Sequence, residues 1–507
     1  MQTSIGALIA NAARTFGDKA ALVFESKTWT FNEIDRKSTQ IAVQLKRLGV
    51  GNGDVVSLYS PNCPEWIISY YGIMKAGAVA NPLNLMLTAS EAAFAIGDCK
   101  AVGVLGAVEK LENLKDYLPQ TELRFRVAFG ESTDSEVVAF SELLESAVDG
   151  ADFIIDAEVT RQSVSTIAYT SGTTGHPKGA VLSHESILMN TAMTATMHMR
   201  TPSDIVVSAL PLSHVYGNIV MNAAIAYGMT LVLHKSFDAT QVLSSIQVNR
   251  ATIFEGVPTM YAYLLDHPEI RNFDLSSLTR CTVGGQTMPE AKMRQVEEIF
   301  GCRLLELWGM TEIGGLGSTH SLYGPSRLGS IGTSLPHVSM RVASPDDPLR
   351  VLPAGEIGEL QIRGAIVMKG YWGRPDATSE ALTEDGWLRT GDLARMDYDN
   401  FVFVVDRLKD MIITAGFNIY PAELERVIAE HPSVSMVAVG GVSDDLKGEL
   451  AKAYIVRRKG AALGSEEVIE FCRSRLAAYK VPRAIQFVDD LPKTSSGKVM
   501  RRKLIEL

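Results

Sequence analysis

The sequence is poor in cysteine. Among its 507 residues there are five, Cys63, Cys99, Cys281, Cys302 and Cys472, an odd number with no CxxC pair and no zinc spacing. A disulfide-stapled scaffold and a structural zinc module are thereby excluded. The thiols read as reduced, mostly structural side chains of a cytoplasmic protein. Positive charge is also in deficit: 48 Lys plus Arg against 58 Asp plus Glu give a net charge of −10. Nucleic-acid binding rests on a basic footprint that this balance does not supply, while a local basic pocket for an anionic ligand stays compatible with it. The start, MQTSIGALIANAARTFGDKAALVF, lacks a charged segment followed by an apolar block and makes a poor signal peptide. The stretch 215–233 runs 19 residues without a charge, about the length that crosses a bilayer. Asn218, Asn222, Gly217, Gly228 and Thr230 interrupt it, so it reads as a buried helix ending near Gly228 and a short strand at 230–233 rather than an integral membrane segment.

What is present is an ordinary globular chain, 46% hydrophobic and 21% charged. Its length suits several domains, at about 100–200 residues each. Thr30 with Glu33 fits a capping box, and the helix it opens places Ile34, Ile41, Leu45 and Leu48 on one face, with Gly49 as its stop. VVSLY (55–59), VVSAL (206–210), TLVL (230–233), TIFEG (252–256), CTVGG (281–285) and RLLEL (303–307) are short apolar runs separated by helical segments. This alternation predicts α/β architecture with helix-covered parallel sheets. After Arg327 the texture changes to short period-two runs between Gly, Asp and Asn turns, which predicts an antiparallel β-rich part over about 327–405. A helix–strand rhythm resumes after Arg407. The expected organisation is a large N-terminal domain (1–405), a boundary at 406–410 and a small α+β C-terminal domain (411–507).

The most informative segment is TIAYTSGTTGHPKGAVLSH, residues 166–184. Between two strands it holds a loop of Gly, Ser and Thr and a lysine. Glycine lets backbone approach a ligand closely, successive loop N–H groups can nest an anion, and Ser171, Thr173, Thr174 and Lys178 add hydroxyl donors and positive charge. Such a loop can cradle a polyphosphate or simply be a surface loop; it is not a Walker A loop, because Pro177 stands where that motif needs glycine. Further on, LWGMTE (307–312) offers a strand that ends at Leu307 and a flat Trp308–Gly309 surface for a purine. There Thr311 suits a phosphate oxygen, and the hard carboxylate of Glu312 suits Mg²⁺. Asp392 in RTGD (389–392) can accept hydrogen bonds from a sugar diol.

With GGQTMPE (284–290), DRLKDMIITAGFNIYPAELE (406–425) and PKTSSGKVMRRKL (492–504), these segments stand in the order of six motifs of the adenylate-forming superfamily. The chain resembles its acyl- and aryl-CoA synthetases over nearly its whole length. The resemblance implies ATP, Mg²⁺ and coenzyme A as cofactor and substrates, and a small-molecule carboxylic acid as the other reactant. By the same resemblance Thr170, Ser171, Gly172, Thr173, Thr174, Gly175, Lys178, Gly284, Gly285, Gln286, Trp308, Gly309, Met310, Thr311, Asp392 and Arg407 hold the nucleotide. Glu312 and Thr170 hold the metal. Lys498 becomes the residue that contacts both carboxylate and α-phosphate, although its neighbours Arg501, Arg502 and Lys503 read on their own as a solvated basic run. Lys409 marks a hinge about which the C-terminal domain turns between half-reactions, and Gly416, Phe417 and Asn418 face coenzyme A. Assembly is left open, with a homodimer compatible.

His214 takes the family position between acyl group and nucleotide. Val215, Tyr216, Gly217, Met221, Val257, Met260 and Gly314 are expected around the acyl group, mostly apolar, with methionines that adapt to irregular ligands. A medium- or long-chain fatty acid or an aryl acid suits them. Arg280 keeps a second option open, a malonyl-type dicarboxylate whose far carboxylate it could pair. A third option is an adenylation enzyme that loads a carrier protein.

Overall fold

In the computed structural model the described residues are 3–118, 121–145, 158–170, 177–414, 417–444, 448–494 and 497–507. They build four sheets. The largest has the parallel strands Arg303–Met310, Arg280–Gly284, Ile253–Gly256, Ile205–Ser208, Thr230–Leu233 and Ala20–Phe24 side by side in that order. Antiparallel strands finish its two edges. The second sheet is parallel through Val55–Tyr59, Val79–Pro82, Gly103–Ala107 and Val164–Thr170, and ends in an antiparallel hairpin with Lys178–Ser183. Helices Ile5–Phe16, Phe31–Arg47, Pro64–Lys75, His184–Met197 and Val215–Ala226 pack on one another in a layer shared by both sheets. This is the α/β arrangement the alternating runs predict.

Local rules hold at several places. Thr30 and Glu33 form the reciprocal capping box of their helix. The uncharged stretch is the buried helix Val215–Ala226 followed by the strand Thr230–Leu233, and no helix among the described residues is long and apolar enough to cross a membrane. All five cysteines are free thiols, with the Cys281 and Cys302 sulfurs in contact at 3.6 Å.

The β-rich part is a four-stranded antiparallel sheet, Ser339–Ala343, Gly358–Arg363, Leu388–Met396 and Val402–Arg407. Its last strand runs through Arg407 and so crosses the expected 405/406 boundary, because Arg407 pairs in register with Asp392. A small C-terminal domain follows, with its own five-stranded sheet, the helices Pro421–Ala429 and Ser465–Arg473, and a separate apolar core around Leu424, Ile428, Val439 and Ile455.

Candidate active site

The parallel strands of the large sheet end together, and their carboxyl ends carry the expected site residues. Open α/β sheets bind ligands in this place, where loops diverge from a rigid sheet. Pro211–His214 follows one strand, Val257 a second, Gly284–Gln286 a third.

The phosphate side is built on the hairpin Val164–Thr170/Lys178–Ser183, where Thr170 pairs with Lys178. Ser171, Gly172, Thr173, Thr174 and Gly175 lie outside the described residues. The segment 369–372 is laid along the outer edge of this hairpin. Lys369 donates its N–H to the Val181 carbonyl (2.9 Å), Val181 to Gly370 (3.0 Å) and Trp372 to Gly179 (2.8 Å). Tyr371 is thereby fixed between two expected site residues. Its ring lies 5.4 Å from the Lys178 ammonium, and its hydroxyl donates to the Glu312 carboxylate at 2.9 Å. Nothing but an aromatic pair between Gly370 and Gly373 marks it in the sequence. Glu312 sits on the tight turn Thr311–Ile313, 8% exposed. Burial raises its pKa, against the hydrogen bond from Tyr371 and the charge of Arg407. Among the described residues no cluster of three or more His, Cys, Asp or Glu forms a metal cage. A carboxylate linked through Tyr371 to Lys178 is compatible with Mg²⁺, which takes most of its ligands from phosphate and water.

The ribose side joins the two sheets. The strand expected to stop at Leu307 continues to Met310, because Gly309 and Met310 pair antiparallel with Leu316 and Gly315. Gly309 is required there, since a Cβ would stand 2.0 Å from the Gly315 carbonyl oxygen. Trp308 is therefore not an open platform: it is buried, with its indole N–H donating to Asp392 at 2.7 Å. The other Asp392 oxygen accepts from Arg407 Nε at 2.6 Å. Burial raises the Asp392 pKa, and Arg407 opposes it. The Arg407 guanidinium goes to Asp392 and not to its neighbours Asp406 and Asp410. Those two carboxylates, with Glu425, converge on Arg501 at 2.7–3.3 Å. Arg501 is thus the clamp of the boundary segment, not part of a solvated basic run.

Lys498 reaches this site from the far end of the chain. At Gly285, where φ is +91°, a Cβ would stand 2.6 Å from Lys498 Cε, so only glycine leaves the lysine its place. Gln286 accepts the Val499 N–H at 3.0 Å, and the Thr259 hydroxyl donates to the Gly497 carbonyl at 2.7 Å. Burial and the nearby Arg407 lower the Lys498 pKa to about 8, with Asp392 pulling the other way. His214 caps the helix Val215–Ala226. Its Nδ1 accepts the Tyr216 N–H at 3.2 Å, which leaves the ring proton on Nε2. Burial first, then the Lys498 charge, pushes its pKa down to about 3, so it is neutral near pH 7.

On the acyl side Val257, Met260 and Met221 are buried apolar surface. The Tyr216 hydroxyl is turned into a buried polar chain, 2.6 Å from Thr282, which donates to Glu255, the partner of Arg200. Gly217 abuts the Pro211 carbonyl, where a Cβ would come within 2.3 Å, and Gly314 packs on Ile187 and Leu182. A cavity of about 240 Å³ opens beside Met260 and is also lined by Lys493, Thr494 and Gly497. Arg280 takes no part. It lies at the opposite end of its strand from Gly284, about 13 Å away by strand rise, and is paired to Asp204 at 2.6 Å. Arg280 is thus committed to Asp204, away from the residues that follow Gly284. Of the residues expected near coenzyme A, Gly416 lies outside the described residues, Phe417 is exposed against Tyr479, and Asn418 pairs with Ile413 in the strand Phe417–Ile419.

Comparison with known proteins gives the family. The AMP-binding enzyme family matches residues 9–372, and the AMP-binding enzyme C-terminal domain matches 423–498. A long-chain-fatty-acid–CoA ligase of Bacillus subtilis (strain 168) is 35% identical, covering 99% of this chain and 94% of its own. A feruloyl-CoA synthase of Amycolatopsis sp. is 36% identical over 93% and 92% of the two chains. The crystal structure of an anthranilate CoA ligase in complex with anthranoyl-AMP superposes with a TM-score of 0.93 at 27% identity, covering 99% and 96%. The chain belongs to the AMP-binding enzyme family, among the adenylate-forming acid–thiol ligases of the acyl-CoA synthetase type.

Proposed function

We propose that this chain is an ATP-dependent acyl-CoA synthetase acting on an apolar monocarboxylic acid, a medium- or long-chain fatty acid or an aryl acid. The observation that carries the reading is Lys498, held against Gly285 and near enough to Arg407 and Asp392 to feel both charges. The loop that carries it has anchors of its own in Gln286 and Thr259, which leaves the ammonium available for chemistry.

The first half-reaction joins a carboxylate oxygen to the ATP α-phosphorus and releases pyrophosphate. The carboxylate is already a nucleophile, so no base is needed. The obstacle is one anion approaching another, which fixed positive charge and aligned donors relieve. Lys498 would bridge the acid carboxylate and the α-phosphate, and Lys178 would meet the outer phosphates. Asp392, with its two oxygens already held by Trp308 and Arg407, has lone pairs left to accept the ribose hydroxyls. Glu312 and Thr170 would hold Mg²⁺, whose charge offsets that of the phosphates. His214, neutral and donating through Nε2, would face the carboxyl group without adding charge.

In the second half-reaction the thiol sulfur attacks the acyl carbonyl and AMP leaves with the bonding electron pair. The cavity beside Met260 supports a route for the thiol, since the lysine loop lines it. Withdrawal of that loop by rotation of the C-terminal domain about Lys409 would open it, with Gly416, Phe417 and Asn418 then turned toward coenzyme A. The choice of acid is supported by the apolar Val257, Met260 and Met221, by the commitment of Arg280 to Asp204, and by relatives named for long-chain fatty acids and ferulate. Five free thiols support placement in a reducing compartment, the cytoplasm.

The test is pyrophosphate exchange into ATP across short, medium, long, aryl and dicarboxylic acids, followed by CoA addition. Exchange with an apolar monocarboxylic acid and conversion to its CoA thioester are expected. Exchange with none of them, or transfer only to a carrier protein, would overturn the reading.

A further inference from the structure

The helix Pro258–Leu265 and the loop that carries Lys498 line the same cavity. Its Met260 faces the cavity. Thr259 and Tyr263 are four residues apart and so lie on one side, one turn above the other. Both reach across more than 220 residues of chain to the C-terminal domain. The Thr259 hydroxyl donates to the Gly497 carbonyl at 2.7 Å. The Tyr263 hydroxyl accepts from Lys493 at 2.7 Å and donates to Asp490 at 3.3 Å, with Lys493 also ion-paired to Asp490. Beyond the helix end, Asp266 accepts the Ser435 hydroxyl at 2.6 Å.

The loop between these anchors is internally braced. Thr494 donates its N–H to the Lys498 carbonyl at 2.7 Å, and its hydroxyl accepts the Lys498 N–H at 3.0 Å. Lys493 and Val499 form an antiparallel bridge. These ties join Lys493 and Thr494 to Lys498 and Val499, so whatever seats Gly497 and Lys493 also bears on where the Lys498 side chain points. The seat is tight: a Cβ on Gly497 would stand 2.9 Å from the Thr259 hydroxyl.

We propose that Thr259 and Tyr263 are positioning residues for the adenylation step: the helix Pro258–Leu265 is the ledge on which the lysine loop docks. The inference rests on the two-step reading above. The ledge serves only the arrangement in which Lys498 is inside, so weakening it slows acyl-AMP formation and leaves thioester formation alone or faster. Thr259 and Tyr263 make no hydrogen bond to Asp392 or its partners Trp308 and Arg407, the proposed ribose contacts, so ATP binding is expected to be untouched.

Thr259→Val keeps the shape of threonine and removes the donor. Its acyl-AMP formation at saturating ATP and acid is expected to fall about 3- to 10-fold, the worth of one neutral hydrogen bond, with the ATP KM unchanged. Thioester formation from supplied acyl-AMP should stay at the wild-type rate or exceed it. Thr259→Ser should restore adenylation, and Tyr263→Phe should move the two half-reactions in the same directions as Thr259→Val. Wild-type adenylation in Thr259→Val, equal loss in both halves, or no rescue by Thr259→Ser would overturn the ledge while leaving the enzyme's function standing. A wild-type protein that makes no acyl-AMP would overturn both.

Discussion

Trp308 donates its indole N–H to Asp392 at 2.7 Å and so ties the last residues of a core strand to the antiparallel sheet beside it. Asp392 is a buried carboxylate, and this bond with the Arg407 pair fixes its direction. Trp308→Phe keeps the ring and removes the donor. Hydrogen bonds to charged groups contribute about 1.5–3 kcal/mol, so the ATP KM in pyrophosphate exchange should rise roughly tenfold or more. The rate at saturating ATP should change little. An unchanged KM would show that Asp392 does not read the nucleotide.

Lys498→Ala should lower acyl-AMP formation by on the order of 10²–10³ and spare thioester formation from supplied acyl-AMP. The pH profile gives a second check. Burial and Arg407 bring this lysine down to about 8, and the charged form is the one that helps. The kcat/KM for adenylation, which reports the free enzyme, should therefore fall as pH rises through about 8. Lys498→Arg, charged throughout this range, should be slower at neutral pH and lack that falling limb. A limb that persists in Lys498→Arg would assign the titration to another group.

Glu306 offers a stability test away from the chemistry. It is buried in the strand Arg303–Met310, with Oε2 unpartnered, and burial raises its pKa to about 8. Its folded pKa exceeds the ordinary carboxyl value of about 4.5, so the folded state holds its proton more tightly. That contribution is complete below pH 4.5 and is lost as pH rises to about 8, at up to 1.36 kcal/mol per pH unit. Relative to wild type, Glu306→Gln should gain stability steadily over that window in urea unfolding. Parallel wild-type and variant curves would remove Glu306 as the source.

Lys409→Pro tests the boundary segment as a hinge. Proline fixes φ near −65°, so a residue that must change its backbone angles between half-reactions would be held in one of them. Thioester formation should suffer more than acyl-AMP formation. The reverse order, measured with supplied acyl-AMP, would move the hinge elsewhere.

Elements set by local chemistry were legible in the sequence. The capping box at Thr30 and Glu33, the apolar strand Val55–Tyr59 and the uncharged helix Val215–Ala226 follow from neighbours a few residues away. Site residues carried by motifs also converge: Gly285, Trp308, Asp392, Arg407 and Lys498 meet across more than 200 residues of chain. What escaped depends on partners distant in sequence. An apolar run stops at Leu307, but the strand continues because Gly315 and Leu316 pair with its end. Arg501 looks like a surface charge until three carboxylates arrive from 406, 410 and 425. Arg280 looks like a substrate anchor until Asp204 is seen beside it. Tyr371 carries no signal of its own, since its place comes from the segment that holds it against the hairpin.

That segment has a consequence for the behaviour of the molecule in a crowded solution. A sheet margin with bare amides invites another chain to add a strand, the usual start of ordered aggregation. Residues 369–372 cover the margin of Lys178–Ser183 with the chain's own backbone. The same four residues that deliver a tyrosine to Glu312 therefore also occupy the Val181 N–H and the Val181 and Gly179 carbonyls, which leaves none of these free for a second chain to pair with.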